Sequence, residues 1–336
     1  MMRESAADLR AIVETITLAD RWIVFTHVKP DGDTIGSTAA LVSLGNRLSK
    51  RVFWGGRDAI PTHYAFLDPQ KEYRQINSVP DIPESERSKT VILCADTSLL
   101  DRSVHGILSY RPAVPVVNID HHKDNDLFGS INWIDPSASA TGEMVTELIL
   151  AGGWGITENE ANYLYTALVS DNGGFRYAST TPQSHSVAIS LIEAGASPSF
   201  VNRQLEQNMS LGALHLWGIA LSRAEVFAGG RAALFWLTRQ DFEKTQTSPE
   251  ETDSLVNMLL RLVGVDIVAL CTENKERIRI NLRAHAPCNA RELACRMDGG
   301  GHDLAAGCHL ALPMEKALEK LKIEMTMHVE SLNSAY

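Results

Sequence analysis

The stretch that decides the fold is H-V-K-P-D-G-D-T-I-G-S, residues 27–37. It follows W-I-V-F-T, residues 22–26, an aromatic and β-branched run. Pro30 leaves helical periodicity no room to develop there, so the run predicts a short buried strand. Past Asp33 the pattern changes: Ile35, Ala39 and Val42 recur at helical spacing, and Gly36 and Ser37 let a backbone or ligand come close. The reading is strand, polar loop, helix, with the loop at the carboxyl end of the strand. Open α/β sheets bind ligands at such loops.

His27, Asp31 and Asp33 put an imidazole and two carboxylates into this loop with Lys29 as its single cation. A bound metal ion would relieve the repulsion, and oxygen-rich ligands with one imidazole suit Mn or Mg better than a structural zinc. The alternative is a turn that Asp31 and Asp33 merely shape.

Working outward, T-V-I-L-C-A (90–95) reads as a fully buried strand ending on Asp96, and V-P-V-V-N-I (114–119) as another ending on Asp120-His121-His122. If these strands are parallel to the first, all three polar clusters reach one sheet edge. Asp96 alone would be a helix cap and His122 alone a surface residue; their convergence is what a built site requires. Thr157 and Glu160 form a capping box opening a helix that delivers Asp171 at its carboxyl end. A carboxylate is unfavourable at that pole, which a cation would repair, unless Asp171 caps the following turn.

The rest of the chain supplies scaffold. Residues 5–19 read as a helix and 51–54 as a second strand; residues 57–87, rich in Pro and charge, carry no catalytic signal. S-A-S-A-T-G-E (137–143) precedes a helix, and Thr181-Pro182 opens another that stops at Gly195. Residues 197–222 read as a linker helix. Beyond it, 224–227 and 232–237 form a hairpin, Ser248 opens a helix reaching Leu262, 265–272 pairs with 277–283, and Asn289 opens a short helix. The expected fold is α/β: an N-terminal domain (1–196) with a mainly parallel sheet flanked by helices, the linker helix, and a smaller α/β domain (223–336) with a mixed or antiparallel sheet.

A formal net charge of −10 over 336 residues argues against wrapping long duplex nucleic acid, because such binding depends on Lys and Arg displacing phosphate counterions. No apolar run approaches the ~20 residues that span a bilayer. Five cysteines without tight pairing suggest a reducing compartment, and the expected location is cytoplasmic. A zinc site from Cys288, Cys295, Cys308 and His302 lacks a close C-x-x-C chelate, so these read as structural thiols.

A last candidate is D-G-G-G-H, residues 298–302. Gly299, Gly300 and Gly301 would leave backbone N–H groups free to approach an anion, with His302 as a further donor and Arg283 as a bidentate phosphate contact. A glycine triplet alone is more often a turn.

These motifs together resemble one family. H-V-K-P-D-G-D, A-D-T-S, D-H-H and S-D-N-G-G-F-R-Y stand in the order found in DHH phosphoesterases, and G-G-G-H-x-x-A-A-G resembles the signature of their DHH-associated C-terminal domain. S-A-T-G-E and the chain length most resemble the bacterial oligoribonuclease (nanoRNase)/pAp phosphatase branch. The resemblance implies hydrolysis of short oligoribonucleotides and 3′-phosphoadenosine 5′-phosphate with two divalent metal ions, Mn²⁺ first and Mg²⁺ or Co²⁺ as substitutes. It implies that His27 and Asp31 hold one ion, that Asp33, His121 and Asp171 hold the other, and that Asp96 bridges them. His122 would face the scissile phosphate, Asp120 would orient a ligating imidazole, and Arg283 with the 299–302 loop would bind the nucleotide across an interdomain cleft. Ser170 stands where relatives more often carry Thr, which touches substrate preference rather than the ligand set.

The competing readings are a linear or cyclic dinucleotide phosphodiesterase, a RecJ-like single-strand exonuclease, an inorganic pyrophosphatase, and a nucleotide-binding module without catalysis. A RecJ-like enzyme would show an extended basic groove with stacking aromatics. Oligomeric state stays open, a homodimer among the states allowed.

Overall fold

The computed structural model describes residues 2–207, 209–252, 255–275 and 277–333. It divides into two compact units, Met1–Asn208 and Met209–Tyr336.

The first unit runs α1 (Met2–Leu18), β1 (Arg21–Phe25), α2 (Gly32–Arg47), β2 (Arg51–Gly56), β3 (Arg74–Gln75), α3 (Glu84–Arg87), β4 (Thr90–Ala95), β5 (Val116–Asp120), β6 (Ile131–Ile134), α4 (Thr141–Ala151), α5 (Glu158–Asp171), α6 (Pro182–Glu193) and α7 (Pro198–Glu206). Its six strands are parallel throughout, in the order β3-β2-β1-β4-β5-β6. Every residue of β4 and β5 is buried, as expected for parallel strands covered on both faces. Trp22, Val24, Leu93 and Ile119 face a core built with the helices, whereas Ile23, Phe25, Ile92 and Val116 face a second core with Ile82, Val104 and Ile107. Chain order reverses direction between β1 and β4, and the register Phe25↔Cys94 and Ala95↔Ile119 brings the carboxyl ends of β1, β4 and β5 level. That crevice is the topological switch point at which such sheets bind ligands.

The second unit contains α8 (Leu211–Ser222), β7 (Glu225–Phe227), β8 (Ala232–Leu237), α9 (Arg239–Thr245), β9 (Ile267–Glu273), β10 (Ile278–Ala284), α10 (Ala290–Cys295), β11 (Gly300–His302), β12 (Ala305–Leu310) and α11 (Met314–Asn333). Its sheet, ordered β11-β12-β10-β9-β8-β7, is mixed, since β8 and β9 are parallel and the remaining pairs antiparallel. β10 alternates strictly, with Ile278, Ile280 and Leu282 in the core and Arg279, Asn281 and Arg283 half-buried on the other side.

Two expectations need correction. The linker helix over 197–222 is two helices, because Ser197 and Ser210 each cap a separate one: Ser197 accepts from Phe200 N–H and Ser210 from Ala213 N–H. The helix expected from Ser248 to Leu262 is instead two 3₁₀ segments, Pro249–Thr252 and Leu255–Arg261, and the residues between them lie outside the description. Strand β6 is additional to the expected elements, its sequence I-N-W-I being too short to show a period.

Candidate metal centre

The six expected ligands arrive from five places in the chain. His27 follows β1, Asp31 and Asp33 open α2, Asp96 follows β4, His121 and, beside it, His122 follow β5, and Asp171 is the last residue of α5. The structure brings them into three overlapping clusters: His27, Asp31 and Asp96; Asp33, His121 and Asp171; and Asp96, His121 and His122, the ligand atoms of each lying within 4.8 Å of one another. Asp96 belongs to two of them through different oxygens. Its Oδ2 is 3.3 Å from His27 Nε2, and its Oδ1 is 3.7 Å from His121 Nε2. His121 Nε2 also lies 3.8 Å from Asp33 Oδ2 and 3.5 Å from Asp171 Oδ2.

Both readings of the Asp-Gly-Asp turn hold at once. Asp31 Oδ1 caps α2 by accepting from Asp33 and Thr34 N–H, while its Oδ2 is 3.7 Å from His27 Nε2. Asp33, by contrast, shapes no turn: Thr141 N–H donates to its Oδ2 (2.6 Å), and Gly142 N–H and the Ser37 hydroxyl donate to its Oδ1. The turn after α5 is closed by Asn172, whose side-chain oxygen accepts from Phe175 N–H, so Asp171 is left facing His121.

The donor set fits divalent cations. Burial, then Asp96 and Asp171, push the Asp33 carboxyl well above the usual range, and burial raises Asp171 to about 6. Burial alone would lower His27, but the Asp31 and Asp96 carboxylates carry it up to about 10. A crowd of carboxylates this close can be balanced by protons or by metal, and a divalent ion does so while leaving every oxygen available as a ligand. The imidazoles are oriented for it: His27 Nδ1 lies 2.8 Å from Val28 O and His121 Nδ1 3.2 Å from Ala138 O, so both present Nε2 to the cluster when Nδ1 carries the proton.

Asp120 departs from its expected role. It is fully buried and pairs with His122 rather than with His121, the imidazole expected to be a ligand, its Oδ1 lying 2.7 Å from His122 Nδ1. Its Oδ2 accepts from Asn125. The Asp120 bond raises His122 to about 9, whereas His122 and Asn125 hold Asp120 below the carboxylate range against the effect of burial.

Sequence reasoning missed several residues here. Asn125 also donates to Thr97 O, tying the loop after β5 to the one after β4. Arg102 places Nη2 3.3 Å from His27 Nδ1. Tyr64, from the region read as silent, packs against Gly32 so closely that a Cβ there would lie 2.9 Å from its ring; burial, then Asp31, push its hydroxyl up to about 12. None belongs to a motif with a fixed offset from the ligands, so spacing could not reveal them.

In the second unit, Arg283 pairs in register with Ala305, which pairs with His302, so the three stand in one row across β10, β12 and β11. The His302 side chain lies outside the description. Within the glycine triplet Gly299 N–H is committed to Ala294 O, and Gly300 and Gly301 lie in β11 at the edge of the sheet. Close packing explains two of the three glycines, since a Cβ on Gly299 would lie 2.4 Å from Gly307 O and one on Gly301 2.6 Å from Ala305 O, whereas Gly300 has open space around it. Cys288 and Cys308 are buried and Cys295 is exposed.

Residues 21–168 match the DHH family, N-terminal domain, and residues 232–327 match the DHHA1 domain. The chain thus carries a DHH domain followed by a DHHA1 domain. Among curated relatives of this DHH protein, the bifunctional oligoribonuclease and PAP phosphatase NrnA of Bacillus subtilis is 28% identical over 304 residues, covering 89% of this chain and 92% of its own. The protein of the same name from Thermus thermophilus is 29% identical over 321 residues, covering 95% and 92%. The crystal structure of an exopolyphosphatase-related protein from Bacteroides fragilis superposes with a TM-score of 0.86 at 26% identity, covering 96% of this chain and 97% of that one. Family, relatives and acidic–histidine clusters together make this DHH protein a metal-dependent phosphoesterase, a hydrolase of phosphoester bonds. Among the described residues no helix is long and apolar enough to cross a membrane.

Proposed function

We propose that this phosphoesterase hydrolyses short oligoribonucleotides and 3′-phosphoadenosine 5′-phosphate with Mn²⁺ as its metal. The observation that carries the reading is the position of Asp96, one oxygen toward the His27 cluster and the other toward the His121 cluster. His27, Asp31 and Asp96 would hold one ion and Asp33, His121, Asp171 and Asp96 the other. When bound, such a pair supplies the charge that acidifies water and stabilises the phosphoryl oxygens. His122, tied at Nδ1 to Asp120, keeps Nε2 for the substrate; held protonated near pH 7, it can neutralise a phosphoryl oxygen and protonate the departing one.

Restriction to short substrates is supported by the acidic balance of the chain, and the names of the relatives supply the two substrate classes. We assign nucleotide binding to Arg283 and the 299–302 segment. Five free cysteines, four of them buried, support the cytoplasmic expectation.

The test compares turnover of 3′-phosphoadenosine 5′-phosphate, a linear diribonucleotide, a cyclic dinucleotide and a longer RNA by the full chain with Mn²⁺. The first two should be cleaved well and the last poorly, with Asp96→Ala inactive and depleted of metal. Preferential cleavage of the longer RNA, or wild-type rates in Asp96→Ala, would overturn the assignment. Arg283→Ala should raise KM with little change in kcat; unchanged kinetics would remove it from substrate binding.

A further inference from the structure

Asp96 can serve two clusters only if its carboxylate keeps one orientation, and nothing in its own backbone enforces this. Its φ is +61°, in the left-handed region that favours glycine. Its two oxygens nevertheless diverge, toward His27 on one side and His121 on the other. The hydroxyl that reaches it is that of Thr141, which donates to Asp96 Oδ1 at 3.2 Å. Thr141 is itself fully buried as the first residue of α4, and its backbone N–H donates to Asp33 Oδ2 at 2.6 Å. One residue therefore grips a carboxylate of each cluster.

The surroundings hold Thr141 in place. Glu143, buried in the first turn of α4, accepts from the Ser139 and Ser184 hydroxyls, anchoring the segment that leads into the helix. Gly142 packs so closely on α5 that a Cβ there would meet Ala167 Cβ at 2.5 Å, which locks α4 to the helix that delivers Asp171.

We propose that Thr141 is a positioning residue whose hydroxyl fixes the rotation of the Asp96 carboxylate and so sets the affinity of both metal positions. This rests on the two-cluster reading given above. Outer partners of metal ligands change affinity by about 10–100-fold when removed. The backbone donors to Asp33 do not depend on the side chain, so replacing the hydroxyl alone isolates the contact to Asp96.

The experiment is calorimetric titration of the metal-stripped full chain with Mn²⁺ alone, alongside its thermal melt without metal. Thr141→Val should bind Mn²⁺ about 10–100-fold more weakly while its metal-free melting point stays close to wild type, and Thr141→Ser should restore binding to within about threefold. Thr141→Ala replaces Thr141→Val if the latter does not fold, with the same expectation. Wild-type affinity in the folded hydroxyl-less variant overturns the proposal, as does a loss that serine fails to restore. Asp96→Ala separates the two levels of inference: if it binds two Mn²⁺ ions as tightly as wild type, the metal centre itself is misassigned, whereas if it loses them and Thr141→Val does not, only the role of Thr141 falls.

Discussion

Substituting Gly142 by Ala tests whether helix packing, rather than the ligand set alone, sets the site. A Cβ at position 142 would stand 2.5 Å from Ala167 Cβ and 3.2 Å from Leu164 O. Carbon atoms rest at about 3.5–4.0 Å, so α4 and α5 must part by about 1 Å. Overpacking of this kind costs about 1–3 kcal/mol. At about 2–4 °C per kcal/mol for a unit of this size, melting of the full chain should fall by about 2–12 °C. The same displacement moves the Gly142 N–H from Asp33, and α5 with Asp171 from His121. A misplacement of about 1 Å at reacting groups costs about 100-fold in rate. Ala167→Gly removes the atom that is struck, at about 1 kcal/mol of helix propensity. The double variant should therefore melt near Ala167→Gly alone, giving a coupling energy of about 1–2 kcal/mol, and should recover most of the phosphodiesterase activity. Melting points additive to within about 0.5 kcal/mol across the cycle would refute the packing argument.

Three further predictions concern stability. Because Asp33, Asp96 and Asp171 crowd one site, saturating metal should stabilise the fold: at 100 times Kd, Mn²⁺ contributes about 2.7 kcal/mol, a rise in melting temperature that EDTA reverses. An unmoved transition would contradict a site formed in the folded state. Arg47→Ala strands Glu160, a fully buried carboxylate that accepts from Arg47 Nε at 2.9 Å, and should cost about 3 kcal/mol by denaturant titration. A loss below about 1 kcal/mol would mean that Ser43 and the Thr157 N–H suffice. His328 in α11 is buried, its Nε2 accepts from Asn289 N–H, and burial, then Arg296, lowers its pKa from 6.5. Its neutral form is favoured in the fold, so its contribution is complete above about pH 6.5 and is lost as pH falls through the lower folded value. His328→Gln should flatten the acid limb of the stability profile; an unchanged limb would show that other groups control it.

The parallel sheet and the candidate metal-binding residues were legible in the sequence because each of these residues stands at or beside a terminus of an element that local chemistry defines. Pro30 and the β-branched run fix β1, the wholly apolar run fixes β4, and the Thr157–Glu160 box fixes the start of α5, so Asp96 and Asp171 fall at predictable termini. Hydrophobic runs and caps act over a few residues, and a single chain displays them directly. Side-chain orientation obeys no such short rule. That Asp120 grips His122 and not His121, and that Asp31 divides its oxygens between a cap and the cluster, are side-chain rotations that spacing does not set, and Thr141 reaches Asp96 from 45 residues away through the packing contacts among α2, α4 and α5. Those contacts exist because Gly36 and Gly142 let three helices approach within the width of a missing methyl group, a distance that only the folded chain sets.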